Sequence, residues 1–185
     1  MTASTLLRLA GAGLLLLCAS CGFMPFLTGE PHVSPEALDE RIVAEISTRF
    51  LKAEDVTYLD IQPRSYAGHV YLIGEASSPG ELDAAVDISK DVQGVRSVTT
   101  YVLQKPGQPA CSSLDNARIE SRVRTVLSET HAALASRIDL TVFQCRVVLT
   151  GTVPNREDEA ALLAEIQAVK GVGSARSLLR VARKK

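Results

Sequence analysis

The chain has 185 residues, of which 46% are hydrophobic and 22% are charged, a composition typical of globular proteins that argues against disorder. The formal net charge of −1 is divided unevenly. Residues 34–105 carry 7 Lys and Arg against 12 Asp and Glu, which gives −5, and residues 112–185 carry 12 against 8, which gives +4. The opposite signs predict two units that attract each other or that have different partners, and the alternative is a solvated surface whose charge bias is accidental.

Residues 1–20 have the pattern of a targeting segment and are not expected in the fold. An apolar run, Leu9–Leu17, is too short to span a bilayer, and two small residues precede Cys21. This order resembles a bacterial lipoprotein signal, in which Cys21 becomes the acylated N-terminus. It departs from that pattern at Cys18, where leucine is usual, and plain secretory cleavage is the alternative. Residues 21–34, rich in Pro and Gly, are predicted to form a tether.

The first folded unit is predicted over residues 35–104. A helix over Pro35–Lys52 is predicted because Ile42, Ile46 and Phe50 fall on one stripe. Alternation over Val56–Gln62 predicts a strand with Leu59 and Ile61 inward, followed by a turn over Pro63–Gly68 and a second strand. The remaining signals are a helix start at Ser78-Pro79-Gly-Glu81, a helix end at Gly94 and a last strand with Val98 and Val102 inward.

A repeat predicts the second unit. Gly68-His-Val-Tyr-Leu-Ile-Gly74 is followed after twenty residues by Gly94, and Val147-Val-Leu-Thr-Gly151 is followed after twenty residues by Gly171. The copies are offset by 151 − 74 = 77 and 171 − 94 = 77 residues, without a gap. Such a repeat indicates one supersecondary unit used twice. The second unit is expected over residues 114–182, after a linker over 105–113 and before a basic tail over 183–185.

Each unit is predicted to have the order αββαβ, which places the chain in the α+β class. The first two strands form an antiparallel hairpin, and the helix between the second and third strands makes that pair parallel through a right-handed crossover. Two helices are expected on one face of each three-stranded mixed sheet. The other face of each sheet is left uncovered within its own unit.

The pattern of an alternating strand, Gly-x-Val-x-Leu-x-Gly, a helix and Gly-Val-x-x-Val resembles the BON domain. The first copy has Gly68, Val70, Leu72, Gly74, Gly94, Val95 and Val98, and the second departs from it at Cys145 and Ala175. A lipoprotein signal before two such units resembles the dual-BON proteins of the DolP and OsmY type. The resemblance implies a non-enzymatic, lipid-anchored protein on the periplasmic side of the outer membrane that supports envelope integrity. Its expected partners are anionic phospholipid, bound through the first helix of the second unit, and envelope proteins.

The candidate residues for contact with lipid headgroups are cationic side chains of the second unit and its tail. They are Arg118, Arg122, Arg176, Arg180, Arg183 and Lys184. Two alternatives stay open at this point. Arg176 and Arg180 could instead meet the acidic first unit, or the chain could be a protein–protein adaptor that does not bind headgroups.

The uncovered sheet face of the first unit is predicted to dock the second unit or a partner, because tyrosine is favoured at interfaces. The candidates are Tyr58, His69, Tyr71 and Tyr101. The alternative is a sheet face partly solvated by tyrosine hydroxyls.

Two cysteines remain after Cys18 and Cys21. In an oxidising compartment Cys111 and Cys145 are predicted to form a disulfide that closes a loop of 145 − 111 = 34 residues, with two free thiols as the alternative. The three histidines, His32, His69 and His131, lack the spacing of metal ligands, and no catalytic motif is present. No metal, cofactor, catalytic residue or nucleic-acid partner is expected, and the oligomeric state is left open.

Overall fold

A computed structural model describes residues 34–182. The predicted signal segment, the lipidation candidate Cys21 and the tail residues Arg183 and Lys184 lie outside the described residues. The first domain consists of α1 (Pro35–Lys52), β1 (Ile61–Tyr66), β2 (His69–Ala76), α2 (Pro79–Lys90) and β3 (Ser97–Gln104). The second consists of α3 (Ser113–Thr130), the single turn α4 (Ala132–Ala135), β4 (Ile138–Phe143), β5 (Arg146–Val153), α5 (Arg156–Gln167) and β6 (Ser174–Val181). In the part that the structure describes, no helix is long and apolar enough to cross a membrane.

The two sheets have the same topology, and the predicted α+β class is confirmed. Their strand orders are β1-β2-β3 and β4-β5-β6. In each sheet the first pair is antiparallel and the second is parallel. One face of each sheet carries the two long helices of its domain, with Ile46 and Phe50 of α1 fully buried in the first domain and Ile119 and Leu162 buried in the second.

The predicted first strand and hairpin turn are wrong in their placement. The strand β1 begins at Ile61 rather than at Val56, and Leu59, predicted inward, is 77% exposed. The alternation before Ile61 belongs to a loop, since the carboxylate of Glu81 accepts a hydrogen bond from the Thr57 amide at 2.7 Å and holds that backbone away from the sheet. Pro63 is tolerated within β1 because this strand lies at the edge of the sheet.

The helix α2 ends at Lys90, four residues before the predicted end at Gly94. Gly94 instead lies in the turn that leads into β3, with φ +97°, a conformation that disfavours a side chain. Its counterpart Gly171 has φ +99° before β6. The spacing of these glycines therefore marks the starts of the last strands rather than helix caps.

The uncovered sheet faces of the two domains pack against each other. Ile73 of β2, Phe143 of β4 and Val148 of β5 form a buried cluster, with 0%, 6% and 0% of their surfaces exposed. Four partly buried side chains surround it: Tyr71, Tyr101, Leu103 and Leu178. The Tyr101 and Phe143 rings meet edge to face with their centroids 6.1 Å apart. The apolar faces that each domain leaves uncovered are thus removed from water by the other domain.

Candidate functional site

Polar contacts surround the apolar interdomain cluster. The Tyr66 hydroxyl donates to the Asp139 carboxylate at 2.5 Å, and the Gln144 amide nitrogen donates to Glu75 Oε1 at 2.5 Å. Burial raises the pKa of Tyr66, and the hydrogen bond to Asp139 raises it further. The phenol therefore stays a hydrogen-bond donor at neutral pH.

The structure places only part of the predicted tyrosine face at this interface. Tyr71 and Tyr101 lie around the cluster, whereas Tyr58 packs into the core of the first domain because it precedes β1 in the displaced loop. His69 lies on the same sheet face at the start of β2, where its Nδ1 is 2.6 Å from Ser97 Oγ. Tyr66 replaces Tyr58 as the third tyrosine of this face. Sequence reasoning missed it because residues 63–68 were predicted as a turn.

The cationic candidates do not form one surface. Arg118 and Arg122 lie on α3, which covers one face of the second sheet. Arg176 and Arg180 lie on β6 in register with Val148 and Thr152, on the opposite face. Arg180 donates from Nη1 to the carbonyl oxygen of Tyr66 at 3.2 Å. Arg180 therefore contacts the first domain, as in the alternative considered for it, and does not belong to a free headgroup surface.

The exposed start of α3 is the remaining candidate surface. The helix begins at a capping box, in which the Ser112 side chain accepts from the Asp115 amide and Asp115 accepts in return. These hydrogen bonds from Ser112 lower the pKa of Asp115, and the nearby Arg118 lowers it as well. Leu114, in the first turn, is 60% exposed although it is a large apolar side chain.

Arg118 and Arg122 follow Leu114 at intervals of four residues, so the three side chains lie along one side of the helix. The Arg122 guanidinium donates to the backbone carbonyl oxygen of Lys170 at 2.7 Å, which fixes its position. Sequence reasoning missed Leu114. The available signal was its position off the buried stripe of Ile119 and Val123, one turn before Arg118.

The predicted disulfide between Cys111 and Cys145 is present. It joins the residue before the α3 cap to the β4–β5 turn, with the two Cα atoms 5.6 Å apart. In that turn Gln144 and Cys145 have φ +47° and +55°, unusual for residues other than glycine. The Asn116 side chain accepts from the Cys145 amide at 2.9 Å. Within residues 34–182, no three His, Cys, Asp or Glu side chains are grouped as metal ligands.

Comparison with known proteins agrees with this architecture. The model of the BON domain matches residues 38–106 and again residues 115–183. A protein of Anaplasma centrale described as "Uncharacterized protein in gshII 5'region" is 36% identical over 69 residues, which are 37% of this chain and 46% of that protein. The chain thus matches less than half the length of this relative.

Two solved chains of CdsD, a structural protein of the type III secretion system of Chlamydia trachomatis, are similar over 80% and 78% of this chain. The alignments cover 65% and 67% of those chains, at 13% identity and TM-scores of 0.34 and 0.32. The two BON matches take in about three quarters of the sequence. The chain therefore belongs to the family of BON-domain proteins.

Proposed function

We propose that this chain is a lipid-anchored, non-enzymatic protein of the bacterial envelope whose second domain binds anionic phospholipid. BON domains are linked to phospholipid or membrane binding and to envelope proteins. In this proposal Cys21 carries the acyl chains, and the folded domains face the periplasm from the outer membrane. The specific role in envelope integrity belongs to the same proposal.

The observation that carries the proposal is the composition of the exposed α3 surface. Leu114 is 60% exposed, and the guanidinium groups of Arg118 and Arg122 follow on the same side of the helix. An apolar side chain beside cations suits the boundary between headgroups and acyl chains. The surface is also separate from the interdomain face, so lipid and the first domain do not compete for it.

The expected contribution of this surface is modest but sufficient. Each basic side chain near an anionic membrane contributes about 1 kcal/mol, and burial of a leucine side chain contributes about 1.5–3 kcal/mol. An acyl anchor would hold the chain at the membrane, so the α3 contact would have to set only the orientation of the domains. A contact of a few kcal/mol is enough to orient domains that an anchor already holds at the membrane.

Vesicle flotation tests the proposal. The chain from Gly22 onward cannot be acylated, so its binding would report the folded domains alone. We expect flotation with vesicles of phosphatidylglycerol and phosphatidylcholine, and little with phosphatidylcholine alone. Replacing Arg118 and Arg122 by Ala, or Leu114 by Ser, should lower binding several-fold.

Matched controls are available in the same chain. Arg41→Ala changes the residue of the first domain at the position of Arg118, 118 − 41 = 77, and Leu51→Ser changes an equally exposed leucine, 64% exposed, on α1. Neither should alter flotation. Equal binding to both kinds of vesicle, or equal losses in the α1 and α3 variants, would reject headgroup binding by α3.

The runner-up is a protein–protein adaptor without headgroup binding. An open groove along α1 of the first domain favours it. Absence of flotation, together with mass spectrometry showing an acylated Cys21, would leave the anchor in place and favour the adaptor.

A further inference from the structure

A groove on the first domain is open where its counterpart in the second domain is bridged. It runs between α1 and the turn that joins α2 to β3, and its volume is about 1080 Å³. Ile42 and Val92, 5% and 4% exposed, are among its apolar lining. Leu38 is 46% exposed beside them, so an apolar side chain already lies at the solvent side of the groove.

The internal repeat explains why the two domains differ here. At the offset of 77, Glu45 corresponds to Arg122 and Gln93 to Lys170. Arg122 crosses the equivalent region of the second domain and donates to the Lys170 carbonyl oxygen at 2.7 Å. Glu45 instead accepts from Arg49 of its own helix at 2.8 Å. The first domain therefore has no arginine at the position of Arg122. Its α1 instead reaches the end of α2 one helical turn further along, where Arg49 Nη1 donates to the Asp91 carboxylate at 2.7 Å, so the groove stays open beside Gly94 and closes at Asp91.

The paired glycines of the two turns lead to the same conclusion. A Cβ atom placed on Gly171 would lie 3.5 Å from Arg122 Nη1, as well as against Ile119. A Cβ atom on Gly94 would meet only the side chain of Ile42 below it. The guanidinium thus covers the glycine turn in one domain, and the glycine turn of the other domain is uncovered.

The charges around the groove define its occupant. Asp39 accepts hydrogen bonds from the Ala67 and Gly68 amides, and Glu45 is paired with Arg49. Arg41 and Arg96 also line the groove, and among residues 34–182 neither has a carboxylate partner. An occupant that brings a carboxylate to these guanidinium groups and an apolar group to Leu38 would complement the groove.

A peptide satisfies this requirement better than a membrane does. The first unit carries a net charge of −5 over residues 34–105, so an anionic bilayer would be repelled by the domain as a whole. A single acidic side chain on a narrow peptide would meet only the local cations. We propose that this groove binds a short segment of a partner protein in which an Asp or Glu lies next to a large apolar side chain. The site is independent of the proposed α3 lipid surface and lies on the other domain.

Selection from a displayed library of random twelve-residue peptides tests the proposal on the whole chain. Peptides that bind the natural chain are kept only if they do not bind the Glu45→Arg variant. This variant transplants the bridging arginine of the second domain into the first. We expect enriched peptides to share an Asp or Glu beside Leu, Ile, Val or Phe. A labelled consensus peptide should lose at least tenfold in affinity when Arg41 and Arg96 are both replaced by Ala, as measured by fluorescence anisotropy.

Two further variants keep the result interpretable. Leu38→Ser should weaken binding of the same peptide, and this test does not depend on whether the Glu45→Arg variant folds. Arg118→Ala changes the counterpart of Arg41 in the second domain and should leave the affinity for the peptide unchanged. Three results would each overturn the proposal. They are a selection without enriched peptides, enriched peptides that lack an acidic residue, and equal peptide affinity of the Arg41 and Arg96 double variant and of Arg118→Ala. The proposal would also be overturned if replacing Arg41 and Arg96 abolished binding to phosphatidylglycerol vesicles and changes on α3 did not. That result would assign the groove to lipid.

Discussion

Asp39 and Asn116 hold the hairpin turns of the two domains from equivalent positions, 116 − 39 = 77 residues apart. The Asp39 carboxylate accepts from the Ala67 amide at 2.6 Å and from the Gly68 amide at 2.9 Å. Asn116 Oδ1 accepts from the Cys145 amide at 2.9 Å. All three turn residues have positive φ. In each domain the first helix thus fixes a turn that its backbone conformation alone does not favour.

Replacing Asp39 by Ala should destabilise the first domain by about 2–3 kcal/mol, because hydrogen bonds to a charged group each contribute about 1.5–3 kcal/mol. The carboxylate also accepts from the Ser65 hydroxyl, and Ser65 is buried. Asp39→Asn keeps one acceptor, as Asn116 does, and should lose about half as much. Urea unfolding measures both changes. An Asn variant as unstable as the Ala variant would show that the acceptor oxygen is not the stabilising feature.

Much of the fold could be predicted from the sequence because its signals are local. The bounds of α1 were predicted from an apolar stripe, and the parallel pairing of β2 with β3 follows from the helix between them. The prediction of the first strand was wrong for a reason that is not local in the sequence. Glu81, which keeps the backbone at Thr57 out of the sheet, lies 24 residues further along the chain.

The candidate site was harder to predict than the fold. Whether a basic residue is free depends on the neighbours that tertiary structure gives it. Arg118 and Arg180 have the same sequence signal, yet Arg118 pairs with Asp115 of its own helix at 3.4 Å, whereas Arg180 reaches the Tyr66 carbonyl oxygen of the other domain. Likewise, the repeat pairs Arg122 with Glu45, but only the structure shows that Arg122 reaches the Lys170 carbonyl oxygen and bridges this region of the second domain.

Alanine at Gly74 or Gly151 should destabilise its domain by about 3 kcal/mol or more. A Cβ atom at Gly74 would lie 1.9 Å from the Asp60 carbonyl oxygen, and one at Gly151 would lie 2.0 Å from that of Arg137. Both glycines have positive φ, so the new side chain adds backbone strain to the clash. Thermal unfolding measures the loss. The control is Gly107→Ala in the linker, where nothing lies within 4 Å, and a similar loss there would contradict the steric argument.

Replacing Cys111 and Cys145 together by Ser should destabilise the second domain by about 3–4 kcal/mol, as expected for a cross-link across 34 residues. The disulfide restricts the unfolded chain, and it adjoins Gln144, whose amide nitrogen donates to Glu75 of the first domain. Unfolding of the native chain with and without a reductant should reproduce the difference between the native chain and the double variant. Insensitivity of the native chain to complete reduction would contradict the prediction.

Phe143→Ala should separate the two domains in unfolding experiments. Phe143 is 6% exposed and packs on Tyr101 across the interface, and its truncation should cost about 3–5 kcal/mol. The native chain should unfold in one transition because each domain covers the apolar sheet face of the other. The variant should show two transitions in calorimetry. Leu59→Ser, at a leucine that is 77% exposed, is the control and should leave a single transition. Two transitions in the native chain would show that the interface does not couple the domains.

Glu81→Gln should destabilise the first domain most at neutral pH and least in acid. Burial favours the neutral form of Glu81, but the backbone amides of Ser77 and Thr57 donate to the carboxylate and lower its pKa overall. A lowered folded-state pKa contributes stability above the unfolded value of about 4.3, and that stability is lost as the pH falls through the folded pKa. The variant should therefore lose about 1–3 kcal/mol at pH 7, since one buried amide then faces an NH₂ group, and the difference should shrink below pH 4.3. Urea unfolding over this range measures it, with exposed Glu36→Gln as the control. A loss that is independent of pH would mean that packing, and not the carboxylate charge, makes Glu81 stabilising.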